Sequence, residues 1–458
     1  MKRTTRTVIH WALLPTLVPM LAVAQSALVE DQQAEPGYQH FYNLEFPEAL
    51  NEFRAEAVKY PNSPDAYNHI AHAILYSEMF RSGALESELV TGSNPFLRRE
   101  GLNPSKKDDQ EFQDSINRAL ALCEARLQAN TNDVQALYAQ GVSYGLRGNY
   151  HFLVRKAYTD ALRDATAARK AHNRVTELDP NFNDARLVQG VYDYVLGSLS
   201  TTWRMLGFFA GFRGDRERGI ETLKQVAKLG RSNRVDAEIL LCAVYRRERR
   251  AKDAVPLLSD LIQRFPQNFL LRLELVQMYG DLGEKEKALA VIREVDRLKR
   301  EKTPGYERLA QEKLRYTRGN LLFWYNDLDP ALEDLKAVTA NVSAVDLNTG
   351  LYAWLRTGQI YDLKKKRDDA KKAYLQTVAI APTSDAALCR MPKPFQPSFT
   401  APTSSVIFAA VESTVVPSCR AAAPAPTITI GWLAFLRTSR KPILPLPRSA
   451  SVSGPAPR

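Results

Sequence analysis

The chain predicts an all-α fold, a solenoid of about eight consecutive helix pairs, and two observations carry that expectation. A 34-residue rhythm of small and large residues runs from about residue 30 to residue 384, and a period of that size marks stacked helical repeats. The 458-residue chain also exceeds what one hydrophobic core usually supports, roughly 250 to 300 residues. Stacked repeats escape that limit because each unit buries its face only against its neighbours.

The clearest copy is Val235 to Asn268. Leu241, Cys242 and Tyr245 stand at its seventh, eighth and eleventh places, with Ala254 at the twentieth, Leu258 at the twenty-fourth and Pro266 at the thirty-second. Leu351 to Ser384 repeats the pattern through Trp354, Gly358, Tyr361, Ala370, Tyr374 and Pro382. Small residues at the eighth and twentieth places let a helix A and a helix B approach closely, and large residues three or four positions away fill the groove beside them. This spacing resembles the tetratricopeptide repeat. The resemblance spans about 350 residues and implies a right-handed superhelix and a role in holding other proteins or peptides.

The other copies follow by the same marks. The first has Ala49, Phe53 and Pro61. The second has Tyr67, Ile70, Ala71 and Ile74, then Ala119, and the third has Leu137, Gly141 and Tyr144, then Ala168 and Pro180. Gln189 and Gly190, then Gly219 and Leu223, mark the fourth. Leu275, Tyr279, Ala288 and Ile292 mark the sixth, and Gly319, Leu322, Ala331 and Leu335 the seventh.

Both ends depart from the rhythm. Residues 1–24 carry Lys2, Arg3 and Arg6, an apolar stretch from Val8 to Val23, and Ala22-Val23-Ala24. This pattern predicts an export signal cleaved before Gln25 and a periplasmic or secreted protein. No transmembrane span is expected after cleavage. From residue 386 onward twelve of the 26 prolines occur and the only acid is Glu412. Such a segment does not bury enough surface to order itself. It reads either as a Pro-rich disordered extension or as the product of a reading frame shifted near Ala387.

The charge follows the same division. The chain carries +11 with a pI near 9.3, but residues 1–24 contribute +3 and residues 386–458 contribute +7, which leaves a helical body close to neutral. A body without a net positive field argues against nucleic acid as a partner.

Residues 25–385 are therefore the solenoid, and its irregularities are the best pointers to function. The second repeat holds 36 extra residues (about 77–112), the third 15 (about 149–165) and the fourth 17 (about 197–215), all in the turn from helix A to helix B. Those turns share one edge of a stack, so the insertions are expected to gather into a patch. Ala157 to Ala171 has the composition to extend helix B. The last insertion places Trp203, Met205, Phe208, Phe209 and Phe212 among glycines, an apolar density that a surface turn must cover or use. These five residues are the expected partner-binding site. Packing of the insertions on one another is the plainer reading. The segment Gly211-Phe-Arg-Gly-Asp215 through Leu223 resembles one in the family of tetratricopeptide repeat protein 39 and the yeast inclusion-body clearance protein, over about residues 185–340. That likeness implies a shared repeat variety only.

Chemistry finds little support. Gly141-Val-Ser-Tyr-Gly145 has the form of a nucleophile elbow, but Ser143 falls within a helix A rather than on a strand-to-helix turn. His69 and His72 lack the further ligands a zinc site needs, and Cys123 and Cys242 occupy packing places. Arg246, Arg247, Arg249 and Arg250 suit a helix C-terminus. No cofactor, metal or enzymatic activity is expected. The chain reads as an exported scaffold for a protein or peptide. The alternative is a small-molecule or lipid-binding accessory of a transport system, with a peripheral-membrane contact.

Overall fold

The structure, a computed structural model, describes residues 36–85, 101–198 and 213–380. These residues form sixteen α-helices and no strand. In chain order they are α1 (Pro36–Tyr42), α2 (Phe46–Lys59), α3 (Pro64–Arg81), α4 (Lys106–Ala129), α5 (Val134–Tyr150), α6 (Tyr158–Leu178), α7 (Arg186–Gly197), α8 (Arg216–Leu229), α9 (Arg234–Arg247), α10 (Ala251–Arg264), α11 (Phe269–Asp281), α12 (Lys285–Arg300), α13 (Gln311–Trp324), α14 (Leu328–Ala340), α15 (Leu347–Leu363) and α16 (Arg367–Ile380). Each odd-numbered helix packs on the even-numbered helix after it, and that helix packs on the next. The predicted all-α solenoid of helix pairs is the fold observed. The signal segment and the Pro-rich tail lie outside the described residues.

Small residues set the spacing within a pair. Ala71, Cys242, Ala254, Ala288, Ala331 and Ala370 are buried, as are Gly141, Gly190, Gly319 and Gly358. A Cβ on Gly358 would stand 2.4 Å from the Tyr374 ring, and one on Gly141 2.6 Å from the His172 imidazole. Each eighth place is thus a socket filled by the side chain at the twenty-fourth place of the facing helix. The thiols behave as packing groups: Cys123 and Cys242 are buried and free, and burial pushes the Cys123 thiol up to about 12.

The uninterrupted pairs turn in one way. Leu44, Arg249, Gly283, Asn326 and Lys365 have positive φ at the fifteenth place. The N–H of the following residue then donates to the carbonyl five residues back, as in Arg250 to Tyr245 and Lys366 to Tyr361. This is the closure of a Schellman motif. Arg249 and Lys365 therefore sit in basic clusters at residues the backbone itself singles out. The neighbouring charges are paired: Arg246 Nε lies 3.2 Å from Asp281 at the end of α11, and Arg250 Nε lies 2.6 Å from Asp253 in the first turn of α10.

In the second and third repeats the helices on either side of that turn are longer. Helix α4 begins at Lys106 and runs for 24 residues. Helix α5 passes into a π-helical turn, His151–Arg155, that ends at left-handed Lys156. The extra residues of the third repeat are thus divided between helix A, the π turn and the first two turns of helix B, with the Ala157 N–H closing on the His151 carbonyl. The second and third insertions pack on each other. Phe112 stacks on Tyr150 at 4.0 Å, and Asp109 accepts from Tyr150 Oη and from Arg155, both at 2.6 Å. Burial opposes ionisation of Asp109, but these two donors hold its carboxyl below the ordinary range.

Two predictions follow from the socket geometry. Gly358→Val forces a branched side chain onto Tyr374 and is expected to lower stability by about 2 kcal/mol. Gly145, with no atom near its would-be Cβ, gains stability as Ala by about 0.5–1 kcal/mol; urea melts of the two variants check the contrast. His172, buried in its socket, has its pKa pushed down to about 4 by burial, with the Tyr138 backbone opposing. Its contribution is complete above the unfolded value near 6.5 and is lost as pH falls toward 4, a cost of roughly 3 kcal/mol. His172→Leu should flatten the acid limb of a stability–pH curve; an unchanged limb would show that another group controls it.

Candidate interaction surface

The ninth, twelfth and thirteenth places of an A helix lie on one face, because residues three and four apart share a side of a helix. In α1 these places are Tyr38, Phe41 and Tyr42, and in α3 they include His72 and Tyr76. In the first two pairs the chain itself packs against this side. The Tyr42 ring packs on Phe265 at 5.1 Å, and Phe80 approaches Phe269 at 6.0 Å.

Main-chain groups close the same seam. The Asn268 amide donates to the Tyr42 carbonyl at 2.8 Å, and Asn43 Oδ1 accepts from the Gln267 N–H at 3.0 Å. Arg308 donates to the Leu44 carbonyl at 2.7 Å. Asn268 also caps α11, its Oδ1 accepting from the Leu270 and Leu271 N–H groups. One side chain therefore starts a helix and clasps a turn more than two hundred residues away. Farther along, a Cβ on Gly83 would meet the Asp346 side chain at 2.7 Å, which brings the end of α3 against the start of α15.

Beyond the clasp, the end of the corresponding face on α13 and α15 is exposed at Trp324 and Leu363. Asn320, Phe323 and Trp324 occupy the ninth, twelfth and thirteenth places of α13. Trp324 is 49 % exposed and Leu363, at the thirteenth place of α15, is 59 % exposed. Arg356 fixes the group: its guanidinium lies 4.6 Å from the Trp324 ring centre, 4.8 Å from Phe323 and 6.0 Å from Tyr352. It donates to Asn320 Oδ1 at 3.1 Å and to Gln359 Oε1 at 2.8 Å. The planar cation is thus held by two amides against three rings, which orders the rings without covering Trp324.

A second concave region, of about 850 Å³, opens between α2, α3 and α4 and is lined by Arg54, Tyr67, Lys107, Glu111 and Arg118 among others. Arg54 and Glu111 neutralise each other there through two 2.7 Å contacts. Lys107, Asp114 and Arg118 add further charged groups to its rim.

The partner-binding residues expected from sequence, Trp203, Met205, Phe208, Phe209 and Phe212, lie outside the described residues. The base of their insertion is described: a Cβ on Gly214 would be 2.8 Å from the Gly197 N atom, so the segment leaves and returns at one point. Ser143 is fully buried, with Oγ 2.7 Å from Asn68 Oδ1 and 3.0 Å from the Ala139 carbonyl. That is the setting of a satisfied helix hydroxyl. His69 pairs with Glu56 at 2.8 Å, whereas His72 packs between Phe41 and Tyr76. No group of three metal-ligating side chains occurs among the described residues, and none of their helices is long and apolar enough to cross a membrane. Sequence reasoning missed Phe323, Trp324, Tyr352 and Arg356, although counting from Gly319 places Phe323 and Trp324 on the axis-facing side.

The register, the sockets and the repeated turn make this a tetratricopeptide-like fold. No family model and no curated protein sequence matches the chain. Similar solved structures include pilF of Pseudomonas aeruginosa, at 15 % identity over 57 % of this chain and 97 % of that one, with a TM-score of 0.34. Yeast Tom70 aligns at 12 % identity over 77 % of this chain and 85 % of its own, with a TM-score of 0.36. A human IFIT1 dimer with PPP-AAAA aligns at 15 % identity over 78 % and 96 %, with a TM-score of 0.30. Superpositions this loose assign no partner. None of these comparisons bears on the likeness over residues 185–340 to the tetratricopeptide repeat protein 39 family.

Proposed function

We propose that the chain is a non-enzymatic scaffold that holds a protein or peptide on the exposed axis-facing surface of α13 and α15. One observation carries this reading: Trp324 stands half-exposed beside an arginine already ordered against three rings. Aromatic and arginine side chains dominate binding energy where a partner excludes water from them, and a pre-ordered cluster loses little side-chain freedom on binding. A peptide laid along the groove would set an apolar side chain between Trp324 and Leu363. The N-terminal segment supports export to the periplasm, and the insertion of repeat four would extend the binding surface.

Trp324→Ala and Arg356→Ala are expected to abolish co-purification of a partner with the full chain while circular dichroism stays unchanged. Leu375→Ala, on a B helix and more exposed than Trp324, should retain it. Equal retention by all three would place binding elsewhere. Mass spectrometry of the protein recovered from a bacterial envelope fraction should find Gln25 as the first residue; an intact Met1 would contradict export by cleavage.

A further inference from the structure

Three successive A helices carry an amide side chain at the ninth place: Gln277 on α11, Asn320 on α13 and Gln359 on α15. Each turns its oxygen to an arginine. Gln277 Oε1 accepts from Arg246 Nη2 at 3.2 Å, Asn320 Oδ1 from Arg356 Nε at 3.1 Å, and Gln359 Oε1 from Arg356 Nη1 at 2.8 Å. A guanidinium donates and never accepts, so it decides which end of an amide faces it. The NH2 ends of Asn320 and Gln359 therefore point away from Arg356.

Those two nitrogens are unused donors on this surface. Asn320 is only 6 % exposed and Gln359 is half-buried. Even so, neither nitrogen donates to another group among the described residues, and neither is sealed from solvent. Polar groups placed this deep are ordinarily paired. Here the oxygen of each amide is taken up by Arg356, which is itself packed on Trp324 and Phe323, so the donors are held in place beside the exposed ring. Their missing partners are acceptors from outside the described chain.

We propose that this surface recognises the main chain of an extended segment, Asn320 Nδ2 and Gln359 Nε2 donating to its carbonyl oxygens while one apolar side chain lies between Trp324 and Leu363. The inference rests on the reading of α13 and α15 as the binding surface and adds the conformation the partner must have. An α-helix has few carbonyls to offer, because along its length each accepts from an N–H four residues on. In an extended chain the carbonyls are free, and alternate residues face the same side, so a pair of donors on one wall can meet carbonyls of a single strand. Both donors are uncharged. Recognition through them needs no acidic group on the partner and tolerates many sequences, with the apolar side chain supplying the selection.

Titration of the full chain with two uncharged, end-blocked peptides tests the proposal. One is a heptapeptide with a central leucine between threonine and serine residues, which stays extended; the other is an alanine-based helix carrying the same leucine. The extended peptide should bind the wild type at least ten times more tightly than the helical one, and Trp324→Ala should not bind it. Asn320→Asp and Gln359→Glu keep an oxygen for Arg356 and exchange the amide donor for a second oxygen. Each should weaken binding of the extended peptide about tenfold, the scale of one lost hydrogen bond, with circular dichroism unchanged. Should Asn320→Asp not fold, the half-buried Gln359→Glu carries the test. Wild-type affinity in the folded variants, or equal affinity for the two peptides, overturns main-chain recognition and leaves the surface at Trp324 in place. Failure of both peptides to bind, or binding that Trp324→Ala leaves intact, overturns the inference together with the reading on which it rests.

Discussion

Residues 42–44 and 265–268 are separated by 224 positions at the Asn43–Gln267 contact, yet the Gln267 N–H and the Tyr42 carbonyl each bond to a side chain from the other turn. Buried carbonyl and N–H groups rarely go unpaired, so the meeting of these two turns limits how the helices between them stack. In an open array of repeats, stability is a sum of terms between neighbours. Here the first pair also touches the turn 265–268 between α10 and α11 and Arg308 before α13, which joins distant repeats into one body. The largest hydrophobic cluster accordingly draws on α1 to α5 and α7 to α13, while Leu137 and Tyr138 with Val175 of α6, and Ala161 and Ala165 of α6, fall in two smaller clusters, and Tyr316, Leu322 and the α15 residues Ala353 and Ile360 in another.

That division separates structure from surface. Before the clasp, the axis-facing aromatics pack on the chain's own turns and serve stability. After it, the same register places carry Phe323, Trp324 and Leu363, which meet solvent. The long helices of the second and third insertions act differently again: they pack on each other through Phe112, Tyr150 and Asp109, so they thicken one side of the stack.

The sequence displayed the helix pairs plainly because their determinants are local. A socket at Gly358 and the side chain that fills it, Tyr374, lie sixteen residues apart, and the left-handed turn at Lys365 is set within a few more. Those distances fit inside one period, so counting residues finds them. The clasp was illegible for the opposite reason. Asn268 reads as an ordinary helix cap, and nothing near it in sequence announces that its amide reaches Tyr42. The division of the third insertion between helix A, a π turn and helix B was equally hidden, since Ala157 to Ala171 has helical composition wherever the helix begins. The exposed cluster stood between these extremes: register assigns Phe323 and Trp324 to the axis, but whether that axis is open or filled depends on the long-range contact.

Whether the solenoid is closed by the clasp is tested most directly by a distance across it. Spin labels at Glu48 and Glu307, exposed residues flanking the contact of Arg308 with Leu44, can be attached through cysteines once Cys389 and Cys419 are changed to serine, because Cys123 and Cys242 are buried. Pulsed electron resonance should then give one short, narrow distance. A broad distribution centred several helix diameters away would mean that the repeats form an open array, and the account of a self-clasped solenoid would be wrong.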